Sequence, residues 1–211
     1  MVTTHLSAQD LFRNAYENRY TWNQHFPGYT ADVTYQSGNE TFIGKVHVSA
    51  DLQATVTGIN NEKATKAIQS QLFEIAIHRI RRLFQDTHGH NTFRYGQIRE
   101  DGAVEILMGG KAEGDRYEIR HNQVSMVHRH IHGVVVTIHT LSSHDTGEGY
   151  LSHRYKSVYH DPRTGEQTGG YHEFEDEYEN VGSYFLLSRR RVCTEGEAEQ
   201  QFSFGNFQLL N

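Results

Sequence analysis

Residues 150–209 alternate large apolar or aromatic side chains with polar ones, broken by turns at Asp161-Pro162-Arg163-Thr164-Gly165 and Asn180-Val181-Gly182-Ser183. A period of two puts successive side chains on opposite faces of a strand. Connections this short leave no room for a crossover, so neighbouring segments pair antiparallel. Neither face of the ribbon reads as cleanly polar. Such a sheet is expected to curl around something rather than lay one side against water.

The same period occurs upstream. Tyr29, Ala31, Val33 and Tyr35 alternate with Thr30, Asp32 and Thr34, and the pattern returns at 42–48 and 52–57, which places strands within 28–57. After the His88-Gly89-His90-Asn91 break, strands resume across 92–209, with turn signals at Asp101-Gly102, His121-Asn122, Gly133 and Asp145-Thr146-Gly147. Two segments carry the helical period instead. Leu11, Phe12, Ala15, Tyr16 and Tyr20, with Ser7 as N-cap, predict a helix over 7–22. Over 61–85, Ile68, Leu72, Phe73, Ile77, Leu83 and their apolar neighbours cover an arc of roughly 200° at about 100° per residue. That exceeds the stripe of a surface helix, so this helix either sits between two layers or forms a lid over an opening. The fold class expected is mainly β (α+β): a single domain over 1–211, built as an incomplete antiparallel barrel of about eleven strands. The N-terminal helix and a lid or plug helix at 61–85 complete it.

Only 36% of the 211 residues are hydrophobic, but 11 Phe, 12 Tyr and one Trp each bring a large buried area. A net charge of -6 argues against a nucleic-acid partner. The one cysteine, Cys193, cannot form an internal disulfide and fits a reducing compartment. Residues 1–10 show neither a basic nor an apolar leader region, and the longest apolar runs fall far short of the roughly 18 residues of a membrane span. A cytoplasmic protein with no stable membrane insertion is expected.

The late hairpins resemble a known family. A strand, the Asp161-Pro162-Arg163-Thr164-Gly165-Glu166 turn and the stretch Phe174-Glu175-Asp176-Glu177-Tyr178 precede Val181-Gly182-Ser183-Tyr184-Phe185-Leu186-Leu187-Ser188-Arg189. This order is similar to the bacterial lipoprotein carriers, the LolA/LolB-like half-barrels. The N-terminal helix leading into Gly28-Tyr29-Thr30-Ala31-Asp32-Val33-Thr34-Tyr35 extends the likeness, while Ser188 stands where the carriers usually have proline. Over nearly its full length the chain also resembles an uncharacterised cyanobacterial family of domain-of-unknown-function type. The carrier resemblance implies an incomplete barrel with a helical lid over an apolar interior, and no catalytic residues.

Three constellations could carry chemistry. Nine of the 15 histidines fall between His121 and His172, and His128, His130 and His132 alternate. On a strand these point to one face at about 6.6 Å spacing. His128 and His130 could share a metal ion if His139, His144 or His153 supplied a third ligand, or the histidines could form a solvated outer face. Glu173, Glu175, Glu177 and Glu179 form an acidic ladder facing a strand with Arg189, Arg190 and Arg191, and cross-strand ion pairs account for it more simply than acid–base catalysis. Tyr155, Tyr159, Tyr171, Phe174, Tyr178 and Tyr184 populate adjacent strands, where they either fill a core or line a cavity. Arg79, near the middle of the helical arc, either snorkels to water or meets a ligand anion.

No phosphate loop, dinucleotide fingerprint or Gly-x-Ser-x-Gly elbow is present, so no cofactor is called for and no enzyme is expected. The reading is a binding protein for an apolar ligand such as a lipid, pigment or isoprenoid-like molecule, with Ile68, Leu72, Arg79, Tyr155, Tyr159, Tyr171, Phe174, Tyr178 and Tyr184 as ligand-binding residues. The alternatives are an assembly protein with a protein partner in a cyanobacterial cytosol, and a metal-dependent enzyme using His128 and His130.

Overall fold

The computed structural model describes residues 6–131 and 133–211. His132, the third of the alternating histidines, lies outside the described residues. The helices are α1 (Ala8–Glu17), α2 (Glu62–Arg79) and α3 (Phe84–His88). The strands are β1 (Gly28–Ser37), β2 (Glu40–Ser49), β3 (Ala54–Thr57), β4 (Asn91–Ile98), β5 (Val104–Gly110), β6 (Arg116–Arg120), β7 (Gln123–Ile131), β8 (Val134–Asp145), β9 (Tyr150–His160), β10 (Gln167–Val181), β11 (Tyr184–Thr194) and β12 (Gln200–Leu209). The strand order is β3-β2-β1-β12-β11-β10-β9-β8-β7-β6-β5-β4, an open, mainly antiparallel sheet. The mainly β, unclosed architecture follows the sequence reading, with twelve strands in place of about eleven. No helix among the described residues is long and apolar enough to cross a membrane.

Both expected helices are shorter than their patterns. Ser7 caps α1, its Oγ accepting from the Asp10 N–H at 3.1 Å, but the helix stops at Glu17 instead of 22. Arg19 forms a bridge with Tyr150, and the Tyr20 N–H donates to the Tyr150 carbonyl at 2.9 Å. Gly149 makes that approach possible, because a Cβ there would lie 2.5 Å from the Asn18 carbonyl oxygen.

The predicted helix at 61–85 divides in two. Ile80 turns to extended backbone (φ -65, ψ 124) and bridges Trp22, whose N–H takes the Arg79 carbonyl at 2.8 Å. A main-chain pairing distant in sequence thus outcompetes the next helical turn. Phe84 restarts the chain as α3 and enters a different apolar cluster. The arc read as two-sided also narrows. Ala64, Ile68, Leu72, Ile75, Ala76 and Arg79 are buried in one stripe, whereas Phe73 is 57% exposed and Leu83 is exposed.

The chain divides into two compact units, one comprising the chain up to Tyr20 with Arg82–His172, the other Thr21–Arg81 with Glu173–Asn211. In the first, α1 packs on β4, β6, β7 and α3. Phe12 is at the centre of a cluster with Ala8, Ala15, Phe84, Ile106, Met108, Tyr117 and Ile119. In the second, β1 pairs with β2 and β12, and Asn206 adopts φ +55 in a bulge opposite 30–32 while its side chain donates to Asp32 Oδ2 at 2.7 Å. Trp22 stacks on Phe26 at 4.0 Å between ring centroids, and Phe26 meets Tyr184 edge-on at 5.1 Å.

His88 gives the first unit a pH dependence. Its ring is buried against Phe12 and Tyr16, with Nδ1 3.2 Å from Asn91 Nδ2. Burial, reinforced by Arg129 and Arg19 and opposed by Asp115, lowers its pKa to about 4. The unfolded chain takes up this proton near pH 6.5, the folded chain only near 4. The contribution is therefore constant above about pH 6.5, is lost as pH falls through that window, and levels off below 4. Allowing for partial solvation, the loss is about 1–2 kcal/mol. Urea unfolding at stepped pH should show a flatter decline in His88→Phe than in the parent, and identical slopes would refute the assignment.

Candidate functional site

Two strands of the second unit each carry a charge in the phase of their apolar residues. On β10, Asp176 alternates with Phe174 and Tyr178; on β11, Arg190 alternates with Leu186 and Val192. Alternation brings both charges to the inner face, where their side chains are 1% exposed. Arg190 donates side-on, Nε to Asp176 Oδ1 at 2.7 Å and Nη2 to Oδ2 at 2.6 Å. Its Nη1 donates to Gln71 Oε1 at 2.8 Å and lies 3.3 Å from Glu74 Oε1, both on α2. The guanidinium also sits 5.3 Å from the Phe174 ring centroid. A buried guanidinium is tolerated when a carboxylate and further acceptors surround it, as here.

Tyr178 extends this network. Its hydroxyl donates to Asp176 Oδ2 at 3.4 Å and accepts from Arg79 Nη2 at 3.0 Å. Burial pushes the phenol well above its usual pKa, so it remains a protonated donor. Arg79 is 8% exposed and its Nε is buried. Gln69 Nε2 donates to the Ala54 carbonyl at 3.1 Å and ties α2 to β3. Of the residues expected to bind ligand, Ile68, Leu72, Arg79, Phe174, Tyr178 and Tyr184 belong to this unit. Ile68 and Leu72 fill the buried stripe of α2, and Tyr184 is buried with its hydroxyl donating to Asn23 Oδ1 at 3.2 Å.

Tyr155, Tyr159 and Tyr171 belong to the first unit, so the structure does not gather the nine residues within one unit. Cross-strand partners there are Tyr117–Val127, Val127–Ile138, Val136–Tyr159 and Thr140–Tyr155. Directly opposed residues share a face, so these apolar side chains lie on the face that begins beneath α1, interrupted by Arg129 opposite Val136 and Ser157 opposite Ile138. Its cover varies along the sheet. Tyr117 and Val136 are buried, Val127, Ile138 and Tyr155 half-buried, and Tyr159 is 38% exposed. Tyr171 on β10 is 47% exposed. Register irregularities at Thr140, Ser142 and Ser143 shift the phase of β8 against β9 near the far end of the pair.

The histidines expected to bind metal each have another partner. His128 Nδ1 is 2.9 Å from Thr137 Oγ1, and His130 Nδ1 is 3.1 Å from Asp115 Oδ1, which also accepts the His130 backbone N–H at 2.9 Å. Burial, with Arg116 and His130 nearby, holds the His128 pKa below its usual value. Among the described residues these two histidines join no set of three candidate ligands. Cys193 donates to Glu199 Oε2 at 3.3 Å, and desolvation with that carboxylate raises its pKa, which keeps it a thiol.

Of the acidic ladder, Glu175 pairs with Arg191 at 2.9 Å and Arg189 at 3.9 Å, as cross-strand pairing predicts. Asp176 and Arg190 escaped the sequence reading. The available signal was their phase, since each is a charge at a position where its strand is otherwise apolar.

A search of curated proteins returned no match. Among solved structures, the crystal structure of LolA superfamily protein NE2245 from Nitrosomonas europaea aligns over 98% of this chain and 95% of that one, with 9% identity and a TM-score of 0.34. A likeness at that level bears on neither ligand nor activity. The family described as Protein of unknown function (DUF3386) matches residues 3–210, nearly the whole sequence, and the chain belongs to that family.

Proposed function

We propose that this protein is a non-catalytic binder of an apolar small molecule such as a lipid, pigment or isoprenoid. The observation that carries the reading is the apolar face of the first unit, which α1 covers only in part. It runs from the buried Tyr117 through the half-buried Val127 and Ile138 to the half-buried Tyr155 and the 38%-exposed Tyr159. Apolar side chains left accessible on consecutive strands of an unclosed sheet are a surface a hydrophobic ligand can complete. Tyrosines suit the task, since each offers an apolar ring and a hydroxyl that can orient a guest. Covering about 300 Å² of ligand at ~25 cal/mol/Å² contributes several kcal/mol before immobilisation costs. No step of chemistry is required of the protein.

Mass spectrometry of an organic extract from natively purified protein tests this. The expected result is one recurrent apolar species in near-stoichiometric amount, strongly reduced in Tyr159→Glu. A protein that is consistently ligand-free yet co-purifies with a stoichiometric protein partner would overturn the reading in favour of an assembly role.

A further inference from the structure

The second unit contains two buried arginines whose surroundings differ sharply. Arg190 uses the Nε–Nη2 edge of its guanidinium to hold the Asp176 carboxylate side-on, and its remaining nitrogen meets Gln71 and Glu74. Arg79 is buried nearly as deeply, at 8% exposure. Its Nη2 meets a neutral group, the Tyr178 hydroxyl at 3.0 Å, and its buried Nε has no acceptor among the described residues. No carboxylate of the described residues forms an ion pair with it. Tyr178 in turn leans on Asp176, the carboxylate already claimed by Arg190.

A guanidinium taken out of water without a counter-charge costs several kcal/mol, and a buried N–H without an acceptor adds to that. Both costs vanish if an oxyanion lies along the Nε–Nη2 edge, the geometry Asp176 provides for Arg190. Arginine presents this edge as a planar fork matched to carboxylate and phosphate oxygens. The Tyr178 hydroxyl accepts from Nη2 and donates its proton to Asp176 Oδ2, so it fixes that end of the guanidinium.

We propose that the Nε–Nη2 edge of Arg79, held in place by the Tyr178 hydroxyl, is a binding site for a carboxylate or phosphate group. The inference goes beyond the apolar-ligand reading and does not depend on it, because the site is built from second-unit residues alone and recognises charge. The chemistry shared by a carboxylic acid and a phosphate ester is two acceptor oxygens at the spacing of the fork.

Trp22 is the chain's single tryptophan, and its backbone N–H donates to the Arg79 carbonyl at 2.8 Å, so its fluorescence reports on this helix end. The full chain is titrated with acetate and separately with inorganic phosphate, at ionic strength held constant with chloride. A saturable change is expected, and the anion with the lower Kd identifies the group recognised. Arg79→Lys keeps the charge but loses the fork and should weaken binding by about tenfold. Tyr178→Phe should weaken it severalfold while leaving the Arg190–Asp176 pair in place, and Arg79→Met should abolish it. Arg79→Met should also raise the urea midpoint in anion-free chloride buffer, because it removes a buried cation without a counter-charge. No saturable response to either anion in the parent protein, or an equal response in Arg79→Met, overturns the proposal. If Arg79→Met does not fold, the parent titration and Tyr178→Phe decide the matter: an unchanged affinity in Tyr178→Phe together with an unchanged affinity in Arg79→Lys overturns it.

Discussion

Asp176→Asn is expected to lower the free energy of unfolding by about 3–5 kcal/mol, a large share of the total stability of a chain this size. The Asp176 and Arg190 side chains are each 1% exposed, and the carboxylate takes two charge-assisted hydrogen bonds of 2.7 and 2.6 Å from the same guanidinium. Neutralising the acid leaves that guanidinium buried without its carboxylate, with the neutral Gln71 and the half-buried Glu74 among its remaining partners. The loss therefore comes mostly from the orphaned charge rather than from the bonds themselves. It follows that Asp176→Leu with Arg190→Met, which removes both charges and keeps apolar bulk, should lie closer to the parent than either single change. Urea unfolding of the single and double variants measures both statements. A cost below about 1 kcal/mol for Asp176→Asn would show that solvent or another anion compensates Arg190, contrary to the geometry.

Phe12→Ala should cost about 3–5 kcal/mol for a different reason. Its ring is 1% exposed and lies 4.7 Å from Tyr117, 5.0 Å from His88, 5.5 Å from Phe93, 6.0 Å from Tyr16 and 6.1 Å from Phe84, measured between centroids. Truncation removes the transfer free energy of a phenyl group and opens a cavity walled by rings from α1, α3, β4 and β6, which can collapse only partly. Phe12→Leu retains most of the volume and should cost less than half as much. The difference in unfolding free energy between the two variants isolates the cavity contribution. Equal losses would mean that the cluster repacks freely.

Why some of this was legible in advance and some was not follows from the range of the interactions involved. The breaks between β4 and β5, β6 and β7, and β8 and β9 fall at the expected turns Asp101-Gly102, His121-Asn122 and Asp145-Thr146-Gly147, because alternation and turn chemistry act over a few positions. The N-cap at Ser7 was equally local. The helix over 61–85 failed at Ile80, where the competing partner is Trp22, nearly sixty residues away. Arg79 could be placed on the apolar arc by counting, yet whether its head group reached water depended on what packed around it. Arg190 looked like one member of a basic run, and Asp176 was not singled out beside the acidic ladder, until strand phase turned both inward and left Glu175 and Arg191 to pair outside.

The amino-acid order alone determined that this chain is an antiparallel, mainly β protein with a helix at its start and a helical insertion before the fourth strand, because period and turn residues are properties of short stretches. The tertiary structure decided where that insertion breaks and which charges are buried. It also decided that Arg79 shares its neighbourhood with Tyr178 but not with a carboxylate of its own. Those outcomes depend on the burial of groups far apart in sequence, and a polar group's energy is set by which partners surround it once water has been excluded.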